Sequence, residues 1–325
     1  MGVVDAFSYL TLPEVTKRAG FDNEAAVMGA IAQELEFLDE VPWFPSTHQG
    51  YNQQLQAKRI GAGGFTTVNG PITTASSETD FITEPVKMYA AESIIDEKAL
   101  AGLSGEDAYR VRDSEDSMNL SGIMQDWASK LLTANEGTTP DAFKSLQRRR
   151  SKLGSYCVDG SGTGSDLTSL WTFEFGPSAF FLAYQKGGQP GLKNEDRGRQ
   201  RLPTPKADGY MYAWTRYYEI WAAIVLRNER ALSRYANIET AGTSNVFNPL
   251  TYLKSVKNQL PSMGRNAVSF ANRTLKGQID ADAYAKSNMA YSIRDIVGFG
   301  PVTSIGGIPV RCWESILDTE TALTA

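Results

Sequence analysis

The sole histidine, His48, lies between Thr47 and Gln49 in a polar stretch. An imidazole that serves as general base or metal ligand needs a second group to fix its tautomer, and its neighbours supply no such signature. Ser-His-Asp or Cys-His hydrolysis would hang on this one residue, and neither cysteine has a catalytic local pattern. Cys157 and Cys312 are far apart and outside any CxxC pair, which argues against a disulfide framework or a zinc site and for two small buried hydrophobes. The run Gly160-Ser161-Gly162-Thr163-Gly164-Ser165 has the glycine density of a phosphate loop. It lacks the Gly-Lys-Ser/Thr ending, and no helical periodicity follows, so it reads as a turn before a strand. Asp113, Glu115 and Asp116, and later Asp280 and Asp282, crowd helical stretches; without a pocket such acids specify neither glycoside hydrolysis nor a metal site. No catalytic, cofactor-binding or metal residue is assigned.

The cationic residues offer a different chemistry. Arg148, Arg149 and Arg150 form the only basic run, Arg197, Arg199 and Arg201 alternate with other residues in a second polar segment, and Lys58 and Arg59 lie in a first one. Guanidinium forks suit carboxylate pairs across protein interfaces. These eight residues are the candidate inter-subunit contacts.

The elements that would position them follow from pattern. Apolar residues recur at helical spacing in 23–39, with Asn23 as N-cap and Pro42 as the stop, after a shorter helix at 13–19. From 41 to 95 no helical stripe is sustained; Gly61, Gly63, Gly64 and Gly70 interrupt Thr- and Ser-rich runs. Such a segment reads as an extended arm, with too few large apolar residues at its tip for a core of its own. A helix is predicted over 104–133, capped by Ser104, with Glu106 and Asp107 at its positive end and Leu120, Ile123, Met124, Trp127 and Leu131 on one face. At ~1.5 Å per residue it is ~45 Å long. A short basic helix over 143–153 follows. From 155 to 238 the reading is mostly β: strands at 170–175 and 179–184 joined at Gly176-Pro177, a polar segment over 187–209, and an aromatic-rich run over 210–226. A helix at 249–259, a strand at 267–272, a helix at 274–286 and a final strand at 309–314 complete an α+β chain.

Composition narrows the class. The 325 residues carry 42% hydrophobic and 21% charged side chains and a formal net charge of −5. No run approaches the roughly 18 apolar residues of a membrane span. The opening residues 1–12 have no basic start or cleavage site, so no export signal is expected. Net acidity argues against a protein that grips phosphates over its whole surface, and it suits a chain lining a DNA-filled space without sticking to it.

Three stretches carry a resemblance: Gly162-Thr163-Gly164-Ser165-Asp166-Leu167-Thr168-Ser169-Leu170-Trp171, then Tyr184-Gln185-Lys186-Gly187, then Gly191-Leu192-Lys193-Asn194-Glu195-Asp196-Arg197-Gly198. In spacing and order they resemble major capsid proteins of tailed bacteriophages of the podophage type, the group that includes the shell protein of Bordetella phage. Leu38-Asp39-Glu40-Val41-Pro42-Trp43, Arg234-Tyr235-Ala236-Asn237-Ile238 and the closing Gly307-Ile308-Pro309-Val310-Arg311 extend the similarity over nearly the whole chain.

The resemblance implies the Hong Kong 97-type capsid fold, with a spine helix, peripheral and axial domains and an extended β-hairpin arm; permuted connectivities occur, so strand order stays open. The expected division is an N-terminal helical region at 1–40, the arm at 41–95, a peripheral domain at 96–239, an axial domain at 240–300 and a closing strand and tail at 301–325. The implied function is self-assembly into pentamers and hexamers of an icosahedral head in the virion, built in the bacterial host cytoplasm. Implied partners are copies of the chain, separate scaffolding and cement proteins, a portal at one vertex and packaged double-stranded DNA without sequence-specific contacts, and no membrane. Neither an enzyme activity nor a cofactor is expected. Lys58 has no companion pattern for an isopeptide weld, and no long charged helix precedes Pro13 to act as a built-in scaffold. Two other readings are a carbohydrate-binding or carbohydrate-active β-protein, with Trp171, Trp214, Trp221 and Trp313 as sugar platforms, and another virion structural subunit.

Overall fold

In a computed structural model of the chain, residues 36–204, 209–241, 245–284, 290–296 and 300–324 are described. The helix expected at 13–19 and most of that at 23–39 lie outside them. The chain enters through α1 (Glu36–Glu40) and β1 (Trp43–Pro45), leaves the body as the hairpin β2 (Tyr51–Arg59) and β3 (Glu78–Pro85), and returns through β4 (Lys87–Asp96). Asp96 caps the short α2 (Glu97–Leu100). The long helix α3 (Gly105–Thr133) starts as its sequence dictates, with the Ser104 hydroxyl accepting from the Asp107 amide, which satisfies one of the amides a helix start leaves open. A short α4 (Leu146–Arg149) follows.

The remaining strands are β5 (Cys157–Asp159), β6 (Leu167–Glu174), β7 (Phe180–Tyr184), β8 (Leu192–Pro203), β9 (Tyr210–Leu226), β10 (Leu232–Glu239), β11 (Ala267–Ala271), β12 (Tyr291–Ile296), β13 (Gly300–Ile305) and β14 (Ile308–Cys312). The helix expected at 249–259 is irregular. α5 (Pro249–Thr251) passes into a π turn (Tyr252–Val256) and a 3-10 turn (Lys257–Gln259), while α6 (Arg273–Tyr284) is regular. One sheet has the order β1-β7-β9-β4 with β8 also on β9; the second runs β12-β13-β14-β11-β6-β10-β5; the arm hairpin pairs only with itself.

Strand β6 shows why the body needs two cores. All eight of its residues are buried, and side chains alternate across a strand. Trp171 and Phe173 face a core shared with Phe37, Trp127, Leu131, Phe180, Ile224 and Trp313. Leu170 faces a second one with Tyr252, Leu275, Ile305 and Val310, where the Tyr252 hydroxyl meets Ser269 at 2.7 Å. Helix α3 braces the first core with its C-terminal end, through Trp127, Ala128, Leu131 and Leu132. Its middle buries polar groups instead. Asp116 pairs with Arg216 at 3.1 Å and accepts from Tyr218; burial pushes its carboxyl above the usual range, with Arg216 opposing.

The strand pairings refine the reading of two segments. Of the segment 41–95 read as arm, only 51–85 leaves the body; β1 pairs with β7 and all of β4 pairs with β9. The polar segment 187–209 contains a strand, β8, paired with β9 along almost its whole length, which hydrophobic alternation could not reveal because its side chains are mainly polar and half of them charged. Strands β6 and β7, which follow one another through Gly176-Pro177, lie in different sheets. The seven-stranded sheet also draws strands from all of 96–239, 240–300 and 301–325, because pairing between distant segments, not local composition, sets sheet membership.

Candidate assembly surface

Among the described residues, the arm is fixed only at its root. Arg149 holds Glu84 through both oxygens at 2.8 and 2.7 Å and donates to the Ile224 carbonyl; the two side chains are 9% and 12% exposed. Gln54 donates to the Leu226 carbonyl and accepts from Arg227, and Lys87 donates to the Pro140 carbonyl. Because strand side chains alternate, the ribbon face carrying Asn52 and Gln54 turns to the body, while Leu55 and Phe81, directly opposite each other, lie on its other face. Both are largely exposed, as are Ile60, Phe65, Val68 and Ile72 further out. At the tip the hydrogen bonds are internal: Gly70 N donates to the Thr67 carbonyl and Thr66 Oγ1 to that of Pro71. Asn69 holds a positive φ of 64° in that turn, a conformation asparagine tolerates better than most residues.

The second feature sits on β8–β9. Trp214, Tyr212 and Tyr210 alternate along β9, and each is covered by an arginine: Arg112 at 4.1 Å, Arg199 at 4.4 Å and Arg201 at 4.0 Å from the ring centre. Arg197 stacks separately over Tyr217 at 4.0 Å. Guanidinium groups over aromatic faces gain from the ring quadrupole and lose little hydration. Sequence reasoning named the three alternating arginines and, separately, the aromatic run over 210–226, but not the stacking of one on the other. The signal available was the matching Tyr-x-Tyr-x-Trp spacing at 210, 212 and 214.

The other candidate contacts are placed as follows. Lys58 pairs with Glu78 at 3.2 Å across the hairpin, and Arg59 donates to Ser76. Arg148 reaches Glu136 at 4.0 Å and stays half exposed. Arg149 is the root anchor. Arg150 is buried, donating to the carbonyls of Leu232 and Glu229 and pairing with Glu229 at 2.8 Å; the run Arg148–Arg150 thus divides into one outward and two inward side chains. Arg197 lies 4.0 Å from Glu92, and Arg199 binds Glu97 at 2.8 Å.

Residues weighed for catalysis are dispersed. His48 stacks on Tyr51 with its Nδ1 3.1 Å from the Thr47 hydroxyl. Trp171 and Trp313 are wholly buried and Trp214 lies under Arg112, so three of the four tryptophans weighed as sugar platforms are occupied by packing. Gly160 and Gly162 abut the Asn237 carbonyl so closely that a Cβ would collide with it, which explains the glycines as packing against β10. Among the described residues no three His, Cys, Asp or Glu side chains gather as a metal site, and no helix is long and apolar enough to cross a membrane. Burial raises the Cys157 thiol; burial, with Glu314 and Glu36 beside it, pushes Cys312 up to about 11. The thiolate is the nucleophile, so the Cys312 thiol of the native protein is expected to alkylate at pH 8 roughly 100-fold more slowly than a free thiol. Timed iodoacetamide labelling with and without denaturant checks this; equal rates would refute it.

Two sheets, a long bracing helix and a projecting hairpin define a Hong Kong 97-type phage capsid fold. The architecture superimposes on that of bacteriophage Epsilon15 with a TM-score of 0.75 at 18% identity, over 100% of both chains. The capsid of bacteriophage JBD30 is also similar, with a TM-score of 0.48 at 10% identity over 91% of this chain and 99% of that one. No curated protein matches the sequence. The family model described as Major capsid protein GP7 matches residues 20–324, and the chain belongs to that family. It is a tailed-phage major capsid protein that forms the icosahedral head, in a structural family and not an enzyme family.

Proposed function

We propose that copies of this chain form pentamers and hexamers that close into the head, each hairpin lying across a neighbouring copy. The carrying observation is the arm: six large apolar side chains open to solvent on a two-stranded ribbon and its connecting loop, anchored, among the described residues, only at the root. A two-stranded ribbon is marginal in water without a surface to pack on, so its order comes from an adjoining protomer. Closed point-group assembly repeats one heterologous contact, and small changes of bend at the arm let one sequence occupy both rings.

In this reading α3 is the spine of a peripheral domain, and the lobe around Tyr252 and Leu275 is the axial domain. Lys58, Arg59, Arg148, Arg197, Arg199 and Arg201 are the outward cations available to neighbours, with Arg149 and Arg150 holding the arm root and the adjoining body in shape. A scaffolding protein directs closure in the host cytoplasm, a cement protein covers the joints, a portal occupies one vertex, and DNA fills the interior without base-specific contacts. Electron microscopy of the purified chain tests the reading: shells or rings of five and six are expected. A stable solitary molecule with glycan affinity would favour the carbohydrate-binding alternative instead.

A further inference from the structure

The row of arginines stacked on the rings of β9 is, among the described residues, incomplete in one respect. Arg112, over Trp214, has a carboxylate at 3.4 Å in Asp196, and Arg199, over Tyr212, has Glu97 at 2.8 Å. Arg201, over Tyr210 at the far end, has no carboxylate within ion-pair distance among the described residues. The outer rings are also the open ones: Tyr212 is 49% and Tyr210 67% exposed. A stacked guanidinium is held flat, with its in-plane donors preorganised for a planar anion. Two rungs are closed by an acid of the same chain, and the third is built alike and, among the described residues, left open.

We propose that the third carboxylate comes from a second copy of this chain, making Arg201 and Tyr210 the centre of a self-association contact at the distal end of the β8–β9 hairpin. The proposal rests on the shell-forming reading and assigns a partner to one of its contacts. Charge favours this occupant: the chain carries 37 acidic against 32 basic residues, so a copy approaching the cationic rung offers carboxylates in excess. Tyrosine and arginine are also the side chains that most often dominate interface energetics. The strand edge itself is guarded. β8 is charged along its length and bulged between Asp196 and Gly198, where Gly198 takes a φ of 69°. That arrangement discourages strand addition and leaves the side-chain rung as the contact.

The test uses the full chain. With Tyr210→p-benzoylphenylalanine, irradiated particles should give a crosslink to a second copy that is absent from the unassembled chain. Arg201→Ala should raise the concentration needed for assembly about tenfold, equivalent to ~1.4 kcal/mol. Its melting temperature before assembly should not change, and Arg201→Lys should recover only part of the loss, because ammonium lacks the planar fork. Crosslinks confined to one chain, crosslinks to nucleic acid or to a different protein, or wild-type assembly by Arg201→Ala would each overturn the inference while leaving the shell reading intact. Failure of the unmodified chain to form shells would count against that reading instead.

Discussion

Deletion of the hairpin tip, residues 61–70, is expected to abolish particle formation while moving the melting temperature of the unassembled chain by no more than about 2 °C. The asymmetry follows from where the tip's contacts are. Its hydrogen bonds are internal, and Phe65 and Val68 touch the body so little that both are almost fully exposed. Removing groups already in water costs the folded chain little; surface changes away from caps and strain stay within about 0.5 kcal/mol. Assembly is different. Each large apolar side chain contributes roughly 1.5–3 kcal/mol when fully covered, and a capsid repeats the same contact around every ring, so a loss small in one copy multiplies through the shell. The root stays intact in the deletion, because Glu84, Gln54 and Lys87 lie outside it. Sedimentation and electron microscopy read particle yield, and differential scanning fluorimetry reads the body. Normal particles from the deleted chain would remove the arm from the assembly mechanism.

The same feature shows what the sequence could and could not disclose. An arm was legible because glycines and small polar residues broke every period and left no apolar stripe to bury. Its limits were not, because β4 alternates weakly and is recognisable only once β9 lies beside it. Helix α3 was legible to within a residue from its cap, Ser104, and its stop beyond Thr133. Its role in the middle was hidden, since Asp116 and Ser121, not a run of leucines, are the buried residues there. Of the candidate contacts, Arg197, Arg199 and Arg201 stand out as an alternating triplet, but a charge triplet alone does not distinguish a solvated face from a row laid on tyrosines. The adjacent basic run is harder still: Arg148 and Arg149 are neighbours in one short helix, and a turn of about 100° per residue sends one outward and the other into the arm root.

Glu320→Ala is expected to destabilise the folded chain by ~3–5 kcal/mol, the range for removing one partner of a buried ion pair, and to lower its melting temperature by about 4–7 °C. Glu320 lies in the segment after β14, which folds back over the seven-stranded sheet: its amide donates to the Leu167 carbonyl, Leu323 exchanges hydrogen bonds with Asn237, and the Thr324 carbonyl accepts from Leu153. Its carboxylate meets Arg234 at 3.0 Å, with side chains 6% and 4% exposed, and also accepts from Ser169 and Gln147. Arg234 meanwhile donates to Ser169 and to the Arg150 carbonyl and lies over Trp171. Without the acid, a guanidinium stays enclosed with its charge uncompensated, and that residual charge, not the lost pair alone, sets the cost. The cause can be isolated with the double variant Arg234→Met/Glu320→Leu. Replacing both charges by apolar groups of similar length should restore most of the lost stability, since enclosed pairs are often no more stabilising than well-packed hydrophobes. Chemical denaturation of the two variants decides the matter. If they unfold at the same midpoint, the energy lies in the hydrogen bonds that lace the tail to the sheet; if the double variant recovers, the pair's contribution is to neutralise an arginine that the packing of β10 against β6 has already shut away from water.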